Sequence, residues 1–248
     1  MVADPQTGNS LLSSHISTVD THQMDRTQVD STYTWHNINL ETQATPAEQL
    51  SALLKRTFDI TVCLLLLPFV LPLMAIVSLA IRLDSKGGVL FRQTRVGQHN
   101  KHFTCFKFRS MRIDAEEIKK KLMAQNEADG PVFKMKRDPR ITRVGRFIRK
   151  SSLDELPQFF NVLFGDMSLV GPRPAIPSEV EQYTPYQMHR LAVVPGLTGL
   201  QQVSGRSDLD FDQWVEYDLQ YIREKGLAKD IEILLRTVPA VLSGKGAY

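Results

Sequence analysis

The longest apolar stretch of this chain is an uncharged run of 22 residues, Ile60 to Ile81, with the sequence ITVCLLLLPFVLPLMAIVSLAI. As a helix that rises about 1.5 Å per residue, this run just reaches across a hydrocarbon core about 30 Å thick. Pro68 and Pro72 lie near its middle. They predict a kink, because proline lacks an N–H and its ring presses on the preceding turn.

Basic residues flank the apolar run on both sides. They are Lys55 and Arg56 before it, and Arg82, Lys86, Arg92 and Arg95 after it. Basic flanks stay in the cytoplasm, and no second apolar run of this length brings the chain back. We therefore predict a re-entrant helix that enters one leaflet, bends at the prolines and returns. The alternatives are a full crossing with the N-terminal tail outside and a buried core helix, for which the run is long.

Beyond the apolar run, the pattern changes to short strands and amphipathic helices. We predict strands at 89–91 and 101–108, and helices at 114–126, 142–150, 151–164, 211–224 and 229–242. Ser152 followed by Glu155 is a capping-box pattern and predicts the start of the helix at 151–164. The last helix is partly apolar and is expected to lie against a membrane surface. The predicted fold class is α/β, mostly helical: a compact cytosolic catalytic domain on an N-terminal re-entrant membrane helix hairpin, with amphipathic helices on its surface.

Charge divides the chain into unequal parts. Residues 1–50 hold six acids and one base, whereas the whole chain holds 30 bases and 27 acids, so the remainder has 29 bases and 21 acids. We predict three regions: a disordered acidic tail at 1–48, the membrane helix at 49–83 and the catalytic domain at 84–248. His15, His22 and His36 are interpreted as solvated tail residues. A basic body suits nucleic acid, phospholipid headgroups or a phosphorylated substrate, and only the net charge favours nucleic acid.

The two cysteines, Cys63 and Cys105, form no C-x-x-C pair. A disulfide framework or a zinc site is therefore not expected, and reduced thiols fit a cytosolic body.

The sharpest candidate for chemistry is the adjacent pair Asp154 and Glu155, with Arg149 upstream. At a helix N-terminus, the dipole and free N–H groups would keep Asp154 ionised. A carboxylate can attack phosphorus, a second carboxylate can bind Mg²⁺, and a guanidinium suits phosphate. The structural alternative is that Ser152 and Glu155 cap a helix and Asp154 is an exposed acid at its start.

Four stretches resemble the bacterial sugar transferase family, the polyprenyl-phosphate hexose-1-phosphate transferases or monotopic phosphoglycosyl transferases. They are KRTFD at 55–59, FKFRSM at 106–111, DPRITRVGRFIRKSSLDELPQFFNVLFGDMSLVGPRP at 138–174 and PGLTGLQQVSGR at 195–206. They occur in family order, and the central stretch is long and specific. The closing TVPAVLSGKGAY is similar to exopolysaccharide-initiating members that handle galactose or glucose.

The resemblance implies an enzyme that transfers hexose-1-phosphate from a UDP-sugar to undecaprenyl phosphate and releases UMP. It implies that Asp154 is the nucleophile and that Arg149 binds phosphate. Glu155 and Asp154 are the implied ligands of Mg²⁺. Arg173 and Arg206 match arginines near the family's site. Weaker candidates for phosphate binding are Lys107 and Arg109. The implied location is the cytoplasmic face of the bacterial inner membrane, in contact with membrane lipid, and homo-oligomerisation stays open.

One feature departs from the family, which often bends its membrane helix at Ser-Pro. Leu71 precedes Pro72 here, so one local hydroxyl donor is missing and Pro68 is expected to help set the bend.

Three alternative functions stay open from the sequence. An N-acetylhexosamine-1-phosphate transferase differs only in its sugar. The pattern Asp208, Asp210 and Asp212 allows a glycosyltransferase that releases UDP, although acids ahead of a helix explain it equally well. A non-catalytic scaffold that binds anionic lipid would use only the basic face.

Overall fold

The structure, a computed structural model, describes residues 45–122, 135, 138–244 and 246. The helices are α1 (Pro46–Asp84), α2 (Ala115–Leu122), α3 (Arg143–Lys150), α4 (Gln158–Phe164), α5 (Pro177–Val180), α6 (Pro185–Met188), α7 (Leu200–Ser204), α8 (Phe211–Glu224) and α9 (Leu227–Ser243). The strands are β1 (Leu90–Val96), β2 (His102–Phe108), β3 (Ser168–Val170) and β4 (Gly196–Thr198). Short 3₁₀ helices occupy Gln98–Asn100, Leu153–Glu155, His189–Ala192 and Arg206–Asp208.

Helix α1 contains the whole apolar run. It begins at a capping box formed by Thr45 and Glu48, and it continues for 39 residues to Asp84. Pro68 and Pro72 lie inside this helix and neither ends it, so the predicted hairpin is not confirmed. Among the residues that the structure describes, α1 is the one helix long and apolar enough to cross a membrane.

Helix α1 has a protein-facing side and an exposed apolar side. Its buried residues are Asp59, Cys63, Val70, Val77 and Ile81. Their spacing of four or seven residues places them on one stripe of the helix. The other side carries large exposed side chains, among them Leu65, Phe69, Ile76, Leu79 and Leu83. Because each of these side chains is more than half exposed, this side of the helix suits a lipid environment.

Both ends of α1 are fastened to the same globular body. Near its start, the Lys55 ammonium lies 2.7 Å from the buried Asp230 carboxylate of α9, and the Arg56 guanidinium donates to carbonyl oxygens at the end of α4. At its other end, the Asp84 carboxylate accepts a hydrogen bond of 3.2 Å from the Val144 N–H of α3. The polar flanks of the apolar run therefore contact one body.

The body is built around two small sheets. Strands β1 and β2 pair antiparallel, whereas β3 and β4 pair parallel. The main core joins α1, β2, α4, β3, α7, α8 and α9. Its buried members are Cys63, Val70, Cys105, Phe159, Val162, Met167, Leu169, Val170, Leu200, Tyr221 and Ile233. Both cysteines are free and buried.

Most of the predicted elements are confirmed. Strand β2 and helices α3, α8 and α9 lie within two residues of their predicted bounds, and β1 runs further than the predicted 89–91. Helix α2 matches the start of the helix at 114–126, whose positions 123–126 lie outside the described residues, as do the tail histidines.

The helix predicted at 151–164 is wrong in its first half. Residues Leu153–Glu155 form a 3₁₀ turn, and α4 begins only at Gln158.

Helix α9 presents the apolar face that its sequence predicted. Ile231, Leu235, Val238 and Leu242 are all exposed, and their spacing places them on one side. Contact of this face with a membrane stays a prediction.

Candidate active site

The carboxylate pair lies on a tight turn between α3 and α4. The Ser152 N–H donates to the Arg149 carbonyl, which helps end α3. Ser152 has a left-handed backbone, with φ 56°, and its side chain makes no capping bond. A capping residue needs an extended backbone, so the predicted capping box is wrong: Ser152 ends one helix instead of starting the next. Asp154 and Glu155 follow within the turn.

An asparagine fixes this turn against strand β2. The Asn161 side chain donates to the Thr104 carbonyl at 2.7 Å and accepts from the Phe106 N–H at 3.0 Å. This contact places the start of α4 beside Lys107, the next residue of the strand. The Lys107 ammonium lies 2.6 Å from Glu155 Oε1, so the structure brings these two predicted residues together.

The two carboxylates have opposite electrostatic environments. Burial, together with the neighbouring charge of Glu155, raises the pKa of Asp154 to about 6. Burial also opposes ionisation of Glu155, but the charges of Lys107 and Arg173 outweigh it and hold the pKa of Glu155 below its ordinary value. Asp154 is still ionised at neutral pH, but the expected stabilisation of its anion by a helix start is wrong, because its pKa is raised instead of lowered. Glu155 is ionised more readily than usual.

Arg149 reaches the pair from the last turn of α3. Helix α3 starts at Thr142, whose hydroxyl accepts from the Gly145 N–H. A Cβ at Gly145 would lie 1.9 Å from the Ser110 carbonyl oxygen, so only glycine allows α3 to pack so closely on the chain after β2. The charge of Arg149 opposes the rise in the pKa of Asp154, which places the guanidinium near the predicted nucleophile.

Arg173 lies on a loop where two backbones touch. A Cβ at Gly196 would lie 2.0 Å from the Gly171 nitrogen, and the Gly196 N–H donates to the Pro172 carbonyl at 2.8 Å. The Arg173 guanidinium lies 3.9 Å from the Glu179 carboxylate. Its charge lowers the pKa of Glu155, so Arg173 belongs to the surroundings of the carboxylate pair.

Arg206 lies in the 3₁₀ turn Arg206–Asp208, which follows α7. Its backbone is left-handed, with φ 53°, and its Nε donates to the Gln202 carbonyl at 3.3 Å. Burial lowers the pKa of Arg206, and the charge of Glu155 opposes that shift. Arg149, Arg173 and Arg206 therefore all act electrostatically on the carboxylate pair.

Arg109 is placed differently from the other predicted residues. Its guanidinium donates to the carbonyl oxygens of Ser85 and Lys86 and to the Ser85 hydroxyl. These contacts tie the end of β2 to the chain after α1. They give Arg109 a structural part, and phosphate binding by this residue stays a prediction.

Arg95 is a member of the site's surroundings that sequence reasoning missed. In the sequence, Arg95 is one of the basic residues that follow the apolar run. In the structure, its side chain is buried, with 7% exposed. Its Nη1 donates to the Pro174 carbonyl at 2.8 Å, which fixes the loop that carries Arg173. Burial and the charge of Arg173 lower the pKa of Arg95 to about 10, so it stays charged at neutral pH. No local signal in the sequence marks Arg95 as buried, because it follows the polar residues Gln93 and Thr94.

The donor set fits a metal only in a limited way. Within the described ranges, no group of three or more His, Cys, Asp or Glu residues could hold an ion. Mg²⁺ is commonly bound by one or two carboxylates together with substrate phosphates. Asp154 and Glu155 match this partial set, and the contact of Glu155 with Lys107 is made through Oε1.

The competing D-x-D pattern has a structural explanation. Asp210 caps α8 and forms a capping box with Gln213, and Asp212 lies in the helix's first turn, where the dipole favours an acid.

The family follows from comparison with known proteins. Residues 50–244 match the family described as "Bacterial sugar transferase", and the chain belongs to this family. The resemblance predicted from the motifs is thereby confirmed.

The relatives include named phosphotransferases. The chain is 50% identical over 201 residues to a galactosyl transferase, CpsE, of Streptococcus agalactiae serotype III, which covers 78% of this chain and 43% of that protein. It is 47% identical over 216 residues to the undecaprenyl-phosphate galactose phosphotransferase of Salmonella typhimurium, covering 84% and 44%. It is 36% identical over 203 residues to the exopolysaccharide production protein ExoY of Rhizobium meliloti, covering 80% and 90%. The chain thus spans less than half the length of the first two.

Proposed function

We propose that this protein transfers a hexose-1-phosphate from a UDP-sugar to undecaprenyl phosphate and so initiates a cell-surface polysaccharide. The observation that carries the proposal is the carboxylate Asp154. It is partly buried, its pKa is raised to about 6, and it lies beside a Glu155 held by Lys107. The charge of Arg149 acts on Asp154, and the charge of Arg173 acts on Glu155. A raised pKa indicates an anion that is poorly stabilised and therefore more nucleophilic.

In the first step, an Asp154 oxygen attacks the phosphorus that bears the sugar. The bond from this phosphorus to the bridging oxygen breaks, and UMP leaves with the electron pair. The product is an aspartyl-phosphosugar. Arg149 and Arg173 bind the phosphate oxygens and offset the negative charge that spreads over them during transfer.

In the second step, a phosphate oxygen of undecaprenyl phosphate attacks the same phosphorus. The bond from phosphorus to the Asp154 oxygen breaks, which regenerates the carboxylate and gives undecaprenyl diphosphate sugar. Glu155 and Asp154 would hold Mg²⁺, which offsets charge on the pyrophosphate oxygens when it is bound. Lys107 keeps Glu155 ionised and directed to the site.

The attachment of α1 supports a site on the cytoplasmic face of the inner membrane. Lys55 and Asp84 lie on opposite sides of the uncharged run and contact the same body. A full crossing would separate these two contacts by the thickness of the bilayer, about 30 Å. A re-entrant course through one leaflet keeps both, and the exposed apolar side of α1 then faces lipid.

Galactose or glucose is the proposed sugar. Two relatives are named for their sugar: the Salmonella typhimurium protein for galactose and the Escherichia coli protein for glucose. An N-acetylhexosamine remains the alternative in the same reaction class.

Nucleotide release tests the reaction. The full-length protein in detergent is given Mg²⁺, a short polyprenyl phosphate, and UDP-galactose, UDP-glucose or UDP-N-acetylglucosamine. We expect UMP from the wild type with one preferred sugar, and none from Asp154→Asn. The matched control is Asp212→Asn, another neutralised acid, which we expect to retain wild-type turnover.

Isotope exchange tests the covalent step. Without acceptor, the wild type should exchange labelled UMP into the UDP-sugar, whereas Asp154→Asn should not. Release of UDP, with loss of turnover in Asp212→Asn, would favour the glycosyltransferase. Equal UMP release by wild type and Asp154→Asn would remove Asp154 as nucleophile, and no turnover by a folded wild type with any sugar would favour a lipid-binding scaffold.

A further inference from the structure

Trp214 contacts both arginines that flank the carboxylate pair from the loops. It lies in the first turns of α8 and is 5% exposed. The Arg173 Cζ lies 5.4 Å from the centroid of its ring. Its indole N–H donates to the Arg206 carbonyl at 2.9 Å. One side chain thus joins two segments that are distant in sequence.

The hydrogen bond from Trp214 helps to hold Arg206, whose backbone is strained. Arg206 has φ 53°, a region that side chains other than glycine rarely adopt. Such a conformation persists when surrounding contacts hold it, and it is common at functional sites. Its carbonyl oxygen accepts from Trp214 and also from Gln201 Nε2 at 3.2 Å. Together with the Leu209 N–H at 3.4 Å, these donors hold the backbone of a residue whose guanidinium interacts electrostatically with Glu155.

The contact with Arg173 orients a side chain on a fixed loop. The loop backbone is held by the Arg95 bond to the Pro174 carbonyl, and the prolines on both sides of Arg173 limit its backbone. Its side chain has a distant ion pair with Glu179, at 3.9 Å. The face of Trp214 attracts the guanidinium and helps set its direction.

We propose that Trp214 is a positioning residue that holds Arg173 and Arg206 in register with the carboxylate pair, so that both bind the diphosphate of the sugar donor. This inference rests on the proposed function. It assigns Trp214 no contact with the reacting atoms.

A purely structural part for Trp214 is the rival explanation. The residue belongs to a small buried cluster with Phe211, Val215 and Leu219. Replacing it will therefore lower stability in either case, and a loss of activity alone would not separate the two explanations. The Michaelis constant for the donor and the fluorescence of Trp214 do separate them.

Two substitutions dissect the contacts. Trp214→Phe keeps an aromatic face for Arg173 and removes the hydrogen bond to Arg206, and Trp214→Leu removes both. We expect the KM for the UDP-sugar to rise roughly 3- to 10-fold in Trp214→Phe, by loss of one hydrogen bond. In Trp214→Leu we expect a rise of roughly 10- to 100-fold, since the cation–π contact is lost as well. The KM for polyprenyl phosphate should stay within about 2-fold, since loss of one hydrogen bond should affect only the donor.

The matched control is Leu219→Ala, which opens a cavity in the same cluster and keeps the Trp214 contacts with Arg206 and Arg173. It should lower the melting temperature at least as much as Trp214→Phe and leave the donor KM unchanged. If Leu219→Ala and the Trp214 variants raise the donor KM in proportion to their loss of melting temperature, the positioning role is refuted.

Fluorescence gives a readout that does not depend on turnover. The chain has two tryptophans, Trp35 and Trp214, and Trp35 lies outside the described residues. In a Trp35→Phe variant, titration with UMP should change the emission of Trp214 in a saturable way. In the same background, Arg206→Gln should weaken or abolish the change.

Different results would refute the positioning role of Trp214 and the proposed function. If UMP binds by calorimetry and Asp154→Asn abolishes turnover, but Trp214 emission and the donor KM of the Trp214 variants do not change, only the positioning role fails. If the folded wild type binds neither UMP nor UDP-sugar, the proposed function fails first.

Discussion

Replacing Asp154 by Asn should make the protein more stable at neutral pH while it abolishes transfer. In the folded protein, burial and the charge of Glu155 raise the pKa of Asp154 from 3.8 to about 6. Because the folded pKa lies above the unfolded one, ionising Asp154 costs folding free energy at pH values above about 6. Below about pH 4, the carboxyl is protonated in both states, and the cost disappears.

The structure sets the size of this effect. A rise of about two pKa units corresponds to about 3 kcal/mol, at about 1.4 kcal/mol for each unit. Asp154 is only partly buried, and solvent screening reduces the cost by about half, to about 1–2 kcal/mol. For a protein of this size, we expect a melting temperature about 3–6 °C higher in Asp154→Asn.

Thermal unfolding of the full-length protein in detergent, followed at pH 7.5 and at pH 4.5, measures this difference. The control is Asp212→Asn, whose acid is exposed in the first turn of α8. We expect the Asp154→Asn increase at pH 7.5 to shrink to about a third at pH 4.5, because that pH lies between the unfolded and the folded pKa of Asp154. A variant that is no more stable than wild type at pH 7.5, or an increase of the same size at pH 4.5, would contradict the proposed environment of Asp154.

Three further predictions concern other parts of the protein. The logarithm of kcat/KM should rise with slope one as the pH increases to about 6 and then level off, because transfer needs ionised Asp154; a flat profile from pH 5 to 7.5 would contradict this. Lys107→Met should raise the Mg²⁺ concentration for half-maximal rate, since Glu155 loses its partner at 2.6 Å, and Lys107→Arg should recover part of the affinity. Asp230→Ala should cost about 2–4 kcal/mol of unfolding free energy, because it removes the buried carboxylate that accepts from the half-buried Lys55 ammonium and from the Tyr221 hydroxyl; chemical denaturation measures this, and a loss below about 1 kcal/mol would contradict the role of the pair.

Two helices whose predicted bounds hold within one residue, α3 and α8, are capped by residues next to them in the sequence. Helix α8 begins at Asp210, whose side chain and that of Gln213 cap each other. Helix α3 begins at Thr142, whose hydroxyl accepts from the Gly145 N–H. These bonds form between residues three apart, so a local pattern can mark a helix start, although the same pattern at Ser152 and Glu155 does not.

Contacts between distant segments could not be predicted in the same way. The position of Arg95 depends on the carbonyl of Pro174, 79 residues further along the chain. Arg109 has the sequence features of a phosphate-binding residue, but it donates to backbone oxygens at Ser85 and Lys86. The composition of a short motif does not distinguish an arginine that binds substrate from one that joins two segments. Only the fold decides between them.

The position of helix α1 on the body also depends on contacts between distant segments. Its length and charge pattern follow from the sequence, and its apolar composition predicts a lipid environment. The pairing of Lys55 with Asp230 joins residues 175 positions apart, and no periodicity in the sequence predicts it. This contact and the one at Asp84 are what place both polar flanks on one body.

The capping box predicted at Ser152 does not form, and this explains why the carboxylate pair is available for chemistry. In a capping box, the Glu155 side chain would accept from the Ser152 N–H, and its charge would serve the helix start. In the structure, that N–H is already bonded to the Arg149 carbonyl, so Glu155 is free to pair with Lys107. The left-handed backbone at Ser152 has an energetic cost of about 1–3 kcal/mol, which the local sequence does not require. The strain is therefore best explained by the site, because it redirects a capping pattern into a pair of carboxylates that face basic side chains.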